Sequence, residues 1–354
     1  MSEEIRIVLV EDSPTVRRYL ASIIEETPSM RVIGEARNGH EAVHVVAKLK
    51  PDVVSMDINM PQVDGLEATR RIMTQHPTPI VVVSGLLETD VQLSLQALEA
   101  GALAVVGKPP DRHNPAFPAK QRELITTLRA MSGVRVISRR VYPRVPQEVA
   151  PGVDMDMTLQ PPAQMTKPEL LAIGASTGGP SAIQRFIKVL PADFPLPILI
   201  VQHMPHEFIP GLARWLDNAT PLQVIVAQQG LRITAGTIYI APGSAHLIIR
   251  RHGAGLVTKL LKEPGSYRYT PSVDALFESV ASLCGSAAIG LVLTGMGNDG
   301  ANGLLAMRRA GALTLVQDEA SSTVFGMPKA AVEIGAAQQM EPLLNLPSKI
   351  LEML

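Results

Sequence analysis

Three side chains in the second half of the sequence have the types and placement for nucleophilic catalysis: Ser176, His203 and Asp299. Ser176 lies in LLAIGASTGGP (170–180), where an apolar run gives way to small residues and then to SAIQRFIKVL, which has helical apolar spacing. His203 ends an apolar run in IVQHMP, and Asp299 follows AIGLVLTG in TGMGNDG. A serine hydroxyl attacks a carbonyl only when a base takes its proton. An imidazole does that near neutral pH, and a carboxylate orients and balances the imidazolium. The N–H groups of Thr177 or Gly178, at a helix start, could hold an oxyanion. The pattern GASTG matches a G-x-S-x-G turn, which alone is weak, because such turns also cradle phosphates and a serine before a helix is usually an N-cap. The chain order Ser, His, Asp also departs from that of the α/β-hydrolases, so that fold is not assigned. His206, His246 and His252 compete as the base, but only His203 directly ends an apolar run. Asp274 and Asp318 compete as the acid; Asp274 begins a helical segment and could be a cap.

A second set of chemistry-bearing residues lies in the first third. Glu11 and Asp12 follow IRIVLV, Asp57 ends DVVSMD, Ser84 lies near the end of PIVVVSG, and Lys108 ends ALAVVGK. Carboxylates converging on one rim repel unless a cation joins them, and hard oxygen donors at that density favour Mg²⁺. A carboxylate beside Mg²⁺ and a lysine ammonium can accept a phosphoryl group, since both cations neutralise the transferring oxygens.

The elements that must position these residues alternate. In the first third, five apolar runs alternate with five helical segments, the pattern of a parallel sheet covered on both faces. Ligands in such folds sit beyond the carboxyl ends of the strands. Residues 131–167 have no sustained period and several prolines, and read as a linker. VRVIS (134–138) could be an edge strand there, and Arg135, Arg139, Arg140 and Arg144 form a basic cluster. Alternation resumes after 168, with TIYIAPG (237–243), HLIIRRH (246–252) and GLVTKLLKE (255–263) reading as consecutive antiparallel strands. The expected fold class is therefore α/β, with two doubly wound, mostly parallel-sheet domains, the second carrying an antiparallel insertion. The expected boundaries are 1–130, 131–167 and 168–354.

Composition excludes several classes. The 354 residues carry a net charge of −1, which argues against polyanion binding as the main purpose. The single cysteine, Cys284, excludes a disulfide framework and reads as a buried core thiol. No apolar run reaches the ~18–20 residues of a membrane span, and acids stand where a secretion signal needs bases, so no membrane insertion and a cytoplasmic location are expected.

VLVEDS, MDINMPQVDG and GKPP resemble the signatures of two-component receiver domains. The resemblance implies phosphorylation at Asp57, Mg²⁺ held by Glu11, Asp12, Asp57 and the backbone of Asn59, and phosphoryl contacts from Ser84 and Lys108. A cis Lys108–Pro109 bond also fits GKPP. IGASTGGP, VQHM, YIAPG, PSVDALF, LTGMGNDGANGL and QDEASSTVFGMPKAA together resemble the catalytic domain of the chemotaxis protein-glutamate methylesterases. That likeness implies Ser176 as nucleophile, His203 as base, Asp299 as third member, and the backbone amides of Thr177 and Met296 as oxyanion donors. It implies hydrolysis of glutamyl methyl esters on chemoreceptor cytoplasmic helices, with release of methanol and, in some members, deamidation of receptor glutamines. No cofactor is expected for hydrolysis itself. A histidine kinase would be the phosphodonor, and the chain is expected to be a monomer that binds no nucleic acid. The pair Tyr269-Thr270 departs from the basic or histidine-containing pair of many members, which alters substrate contact without removing catalysis. The unphosphorylated receiver is expected to pack over the Ser176 rim. Two other classes make different demands of the sequence. A phosphorylation-dependent binding protein would not need Ser176, His203 and Asp299 together. A DNA-binding regulator would need a basic helix-turn-helix, which the second half lacks.

Overall fold

The computed structural model describes residues 4–85, 88–134, 136, 167–253, 255–262 and 267–354. The basic cluster expected at Arg135, Arg139, Arg140 and Arg144, and all but two residues of the expected strand 134–138, lie outside them.

The first unit has strands β1 (Ile5–Val10), β2 (Met30–Ala36), β3 (Val53–Met56), β4 (Ile80–Ser84) and β5 (Ala104–Gly107). They alternate with helices α1 (Pro14–Glu25), α2 (Gly39–Leu49), α3 (Gly65–Gln75), α4 (Glu88–Ala100) and α5 (Phe117–Ser132). The sheet is parallel, in the order β2-β1-β3-β4-β5. Its strands read as near-continuous Val, Ile and Leu because helices cover both faces. Helix starts are capped where the sequence supplies short polar side chains: Ser13, Asn38 and Asp64 accept amides of α1, α2 and α3. The chain runs outward from β1 in both directions, so β1 and β3 flank the switch point and deliver Glu11, Asp12 and Asp57 to one crevice. The Lys108–Pro109 bond is trans. Nothing there overrides the trans preference that X–Pro amides keep by about 0.5–1 kcal/mol, and the only cis peptide among the described residues is Thr270–Pro271.

The second unit has a seven-stranded parallel sheet, ordered β14-β13-β12-β6-β7-β9-β8. Its strands are β6 (Leu170–Ala175), β7 (Ile198–Gln202), β8 (Gln223–Val226), β9 (Thr237–Ile240), β12 (Ala288–Val292), β13 (Leu313–Gln317) and β14 (Gln339–Glu341). A separate antiparallel hairpin joins β10 (His246–His252) to β11 (Gly255–Leu261). The helices are α6 (Gly179–Ile187), α7 (Ile209–Asp217), α8 (Val273–Cys284), α9 (Ala301–Arg309), α10 (Met327–Glu333) and α11 (Leu346–Leu351). One expectation is corrected here. The run at 237–240 does not belong to the antiparallel insertion; it is parallel to both β7 and β8, and all four of its residues are buried. A strand covered on both faces belongs inside a sheet, and the antiparallel insertion consists of β10 and β11 alone among the described residues. The short edge strand β14 and the helix α11 were not anticipated.

Three adjacent strands, β12, β6 and β7, form the middle of this sheet. Ala175 pairs with Gln202 and Gly174 with Val292, so the chain leaves β6 and β7 side by side as Ser176 and His203. Asp299 follows from β12 on the other flank.

The two units share one continuous apolar cluster. Helix α4 lies against α6 and α7. A Cβ on Gly211 of α7 would come 2.5 Å from Val91 Cγ1, so a glycine is what lets these helices approach so closely. At the end of α4, Glu99 Oε1 accepts from Gln184 Nε2 at 2.9 Å and from Trp215 Nε1 at 2.8 Å. A groove of about 630 Å³ runs beside this contact, between Met73, Thr74 and Gly101 on one side and Gly178, Thr294 and Thr323 on the other. The first unit thus lies along the flank of the Ser176 rim, and Ser176 keeps intermediate exposure.

Candidate functional site

Ser176, His203 and Asp299 are brought together. His203 Nε2 lies 2.8 Å from Asp299 Oδ2, with side-chain exposures of 15% and 5%. Asp299 is saturated with donors. Its Oδ2 also accepts the Val273 amide at 2.7 Å, and its Oδ1 accepts the Ser272 hydroxyl at 2.8 Å and the Asp274 amide at 3.1 Å. Those amides open α8, so the carboxylate sits at a helix N-terminus, where negative charge is favoured. Burial works against ionisation of Asp299. The hydrogen bond and charge of His203 and the two amides outweigh it and hold the carboxyl below its ordinary range.

Ser176 is fixed through its backbone. Its N–H donates to Thr294 O at 3.1 Å, and its carbonyl accepts from Gly179 N at 2.9 Å and Gln202 Nε2 at 2.8 Å. The same Gln202 nitrogen donates to His203 O at 2.9 Å, so one buried amide ties both turns together. Thr294 ties the third: its hydroxyl donates to Thr177 O at 3.0 Å. The Ser176 hydroxyl caps nothing. The N-cap of α6 is Gly178, at φ +76°, and a Cβ there would sit 2.4 Å from Thr323 Oγ1. Among the described residues, neither Ser176 Oγ nor His203 Nδ1 has a hydrogen-bond partner. The amides of Thr177 and Met296 likewise donate to no acceptor among them. An unengaged hydroxyl, an imidazole held by a carboxylate and two unengaged amides are the parts an acyl transfer needs.

The competing residues fall elsewhere. His206 is exposed beside Glu207 and exposed His252 ends β10 at the hairpin turn, while buried His246 accepts the Ser272 amide through Nδ1 at 3.1 Å. Asp318 accepts the Ser321 amide. The cap of α8 is Ser272, and Asp274 instead accepts Gly303 N at 2.6 Å, clamping α8 to α9. Burial, followed by the charges of Asp299 and Glu278 against the amides of Gly303 and Gly300, pushes Asp274 up to about 6. Its proton is therefore retained in the folded chain up to that pH but lost above about pH 4 when unfolded. This stabilising proton is fully present below pH 4, and its contribution is lost as pH rises to 6. Asp274→Asn keeps an acceptor for Gly303 and removes the charge. After allowance for solvent screening it should stabilise the protein by about 1 kcal/mol at pH 7.5 and by little at pH 4. Denaturant melts at the two pH values check this, and equal stability at pH 7.5 would refute it. Cys284 is half-buried and its thiol is pushed up to about 11 by burial, which makes it unreactive.

In the first unit, ligand oxygens of Glu11, Asp12 and Asp57 lie within 4.8 Å of one another. Lys108 Nζ reaches Glu11 Oε2 at 2.8 Å and Asp57 Oδ1 at 3.0 Å, and Asp57 Oδ1 also accepts the Ile58 amide at 2.9 Å. Burial raises the carboxyls of both Glu11 and Asp57, and Lys108 only partly opposes it. Burial alone would lower the Lys108 ammonium; its bonds to the two carboxylates reverse that and raise it. One ammonium against three carboxylates leaves negative charge uncompensated, and this hard-oxygen donor set fits a small divalent cation. Ser84 is fully buried beside this crevice, and its hydroxyl has no partner among the described residues. Exposed Asn59 follows two residues after Asp57. Sequence reasoning missed Gln202, Ser272 and Thr294. Their only signal was a polar residue at a strand end or in a helix-opening turn.

Comparison with known proteins places both units. Residues 171–350 match the CheB methylesterase family, and residues 7–114 match the response regulator receiver domain. A protein-glutamate methylesterase/protein-glutamine glutaminase of Myxococcus xanthus is 45% identical over 99% of this chain and 97% of its own. One from Rhodospirillum rubrum is 40% identical over 99% of both chains. The crystal structure of the Thermotoga maritima CheB methylesterase catalytic domain superposes with a TM-score of 0.52 at 35% identity, covering 53% of this chain and all of that one. The site and sheets define a hydrolase-like α/β unit joined to a receiver. The chain belongs to the CheB methylesterase family.

Proposed function

We propose that the protein is a phosphorylation-controlled esterase that removes methyl groups from glutamyl side chains of chemoreceptor cytoplasmic helices, and that it also deamidates receptor glutamines. It is organised as a receiver domain (1–130), a linker (131–167) and a catalytic domain (168–354). The observation that carries this reading is the Ser176–His203–Asp299 rim in a chain whose full-length relatives carry that activity in their names.

Ser176 Oγ attacks the ester carbonyl while His203 Nδ1 takes its proton. Asp299, ionised and fully hydrogen-bonded, stabilises the imidazolium through Nε2. The amides of Thr177 and Met296 hold the oxyanion. His203 then returns the proton to the departing methoxide, and methanol leaves. Water, deprotonated by His203, releases glutamate from the acyl enzyme; with an amide substrate, ammonia leaves instead. Intermediate exposure of Ser176 suits a substrate side chain presented by another protein.

Asp57 accepts the phosphoryl group from a histidine kinase. Glu11, Asp12, Asp57 and the Asn59 backbone would hold Mg²⁺, which neutralises charge on the transferring oxygens. Lys108 contacts the phosphoryl group, and the unpartnered hydroxyl of Ser84 turns to it. Ser84 ends β4, the strand before α4, and α4 is the helix seated on α6 and α7. Phosphorylation thus loosens the flank contact through the element that makes it.

The test is methanol release from methylated receptor, with and without a small phosphodonor. Wild type should be stimulated, and Asp57→Ala should keep its basal rate without stimulation. Equal stimulation of Asp57→Ala removes the switch from the reading.

A further inference from the structure

Asp299 engages the Nε2 of His203, not Nδ1. Nδ1 is therefore the nitrogen left to face Ser176. The Nε2 hydrogen bond lies in the ring plane and sets the rotation of the ring, but a single hydrogen bond tolerates about 30° of misalignment. A contact on the ring face narrows that range.

Tyr269 supplies it. Its ring is stacked on His203, with centroids 5.1 Å apart and planes inclined by 26°. The Arg268 guanidinium lies 5.6 Å from the centroid of the same tyrosine. The tyrosine hydroxyl reaches the loop that carries Met296, lying 3.4 Å from where a Gly297 Cβ would be. Two residues earlier, Tyr267 meets the buried His246 at 5.2 Å and donates to Glu278 Oε2 at 2.6 Å. His246 in turn accepts the Ser272 amide, and Ser272 donates to Asp299. The segment 267–272 is thereby pinned at both ends of the chain His246–Ser272–Asp299–His203. In a chain with five tyrosines, two stand in this short segment.

We infer that Tyr269 is a positioning residue for His203: its stacked ring holds the imidazole, already bound to Asp299, in the rotation in which Nδ1 faces Ser176. The inference rests on the proposed role of the Ser176–His203–Asp299 rim. The tyrosine face also favours the imidazolium that forms when Ser176 is deprotonated, because a cation over an aromatic ring is attracted to it. Arg268 braces the ring by the same interaction. Gly297, at φ +92°, keeps the opposing loop free of a side chain where the tyrosine hydroxyl comes near.

The test uses the full chain and two readouts: methanol release from methylated receptor, and the rate at which a small fluorophosphonate labels Ser176, followed by intact mass. The second needs the base but no docking of a protein substrate. General-base catalysis contributes about 10²–10⁴-fold, and a misoriented base loses part of it. Tyr269→Ala and Tyr269→Leu should therefore lower kcat and the labelling rate by about tenfold, with KM within about twofold of wild type. Tyr269→Phe keeps the stacked ring and should stay within about twofold on both. The inference is overturned by wild-type kcat in Tyr269→Ala, by a rise in KM alone, or by a Tyr269→Phe as slow as Tyr269→Ala. Ser176→Ala is run alongside. If it still releases methanol, the reading of the rim fails and this inference with it; if it is inactive while Tyr269→Ala is normal, this inference alone fails.

Discussion

Ser176→Ala should lower methanol release by at least about 10⁴-fold while changing unfolding stability by less than about 0.5 kcal/mol. The two halves of this prediction come from the same geometry. The hydroxyl has no hydrogen-bond partner among the described residues and intermediate exposure, so its removal strips no stabilising contact. An N-cap would behave in the opposite way, costing about 0.5–2 kcal/mol of stability on replacement by alanine. That ordinary role is closed to Ser176, because α6 is capped by Gly178 and the turn is held by backbone groups, Gln202 and Thr294. The variant should also still accept a phosphoryl group, since the carboxylate crevice is built from a different sheet. A stable, phosphorylatable and inactive Ser176→Ala identifies a nucleophile. An active one refutes the assignment, and one that is inactive only because it unfolds is excluded by melting it.

How much of this was readable beforehand depends on where each residue sits. Glu11, Asp12, Asp57, Ser84 and Lys108 could be grouped from sequence because each ends or follows a short apolar run, and runs alternating with helices lie parallel with their ends on one rim. The same logic placed Ser176, His203 and Asp299, whose strands prove to be neighbours. It failed at Thr237–Ile240. Several β-like runs follow one another there without a long helix between, and an apolar run does not say which sheet it joins. Gln202, Ser272 and Thr294 were illegible for another reason. Each acts through a side-chain bond to the backbone or side chain of a residue distant in sequence, and no spacing encodes it. Tyr269 stood out as a departure from a familiar motif, but its partner, His203, is remote in sequence and only the folded loop brings them together. The flank contact was expected over Ser176 and is found on α6 and α7. The residues that decide it, Val91, Glu99, Gly211 and Trp215, are unremarkable as residue types.

Asp299→Asn should lower turnover by about 10³–10⁴-fold and destabilise the protein as well, in contrast to Ser176→Ala. The carboxylate accepts four hydrogen bonds, from His203, the Ser272 hydroxyl and the amides of Val273 and Asp274. An asparagine offers one carbonyl oxygen, and its NH₂ must then face N–H or O–H donors. Either His203 or the start of α8 loses its acceptor, and a buried donor left unpaired costs about 1–3 kcal/mol. Loss of the anion at the helix N-terminus adds about 0.3–1 kcal/mol. The pH dependence separates these effects from a mere packing defect. The Asp299 carboxyl is held below its ordinary range, so the stability it confers is present above about pH 4 and is lost as pH falls through its folded value. The gap in stability between wild type and Asp299→Asn should therefore be full at pH 7 and narrow on acidification below about pH 4. A gap that stays constant with pH would show that the charge contributes nothing to folding. Turnover near wild type at pH 7 would show that the imidazolium of His203 needs no counter-charge, and would remove Asp299 from the mechanism.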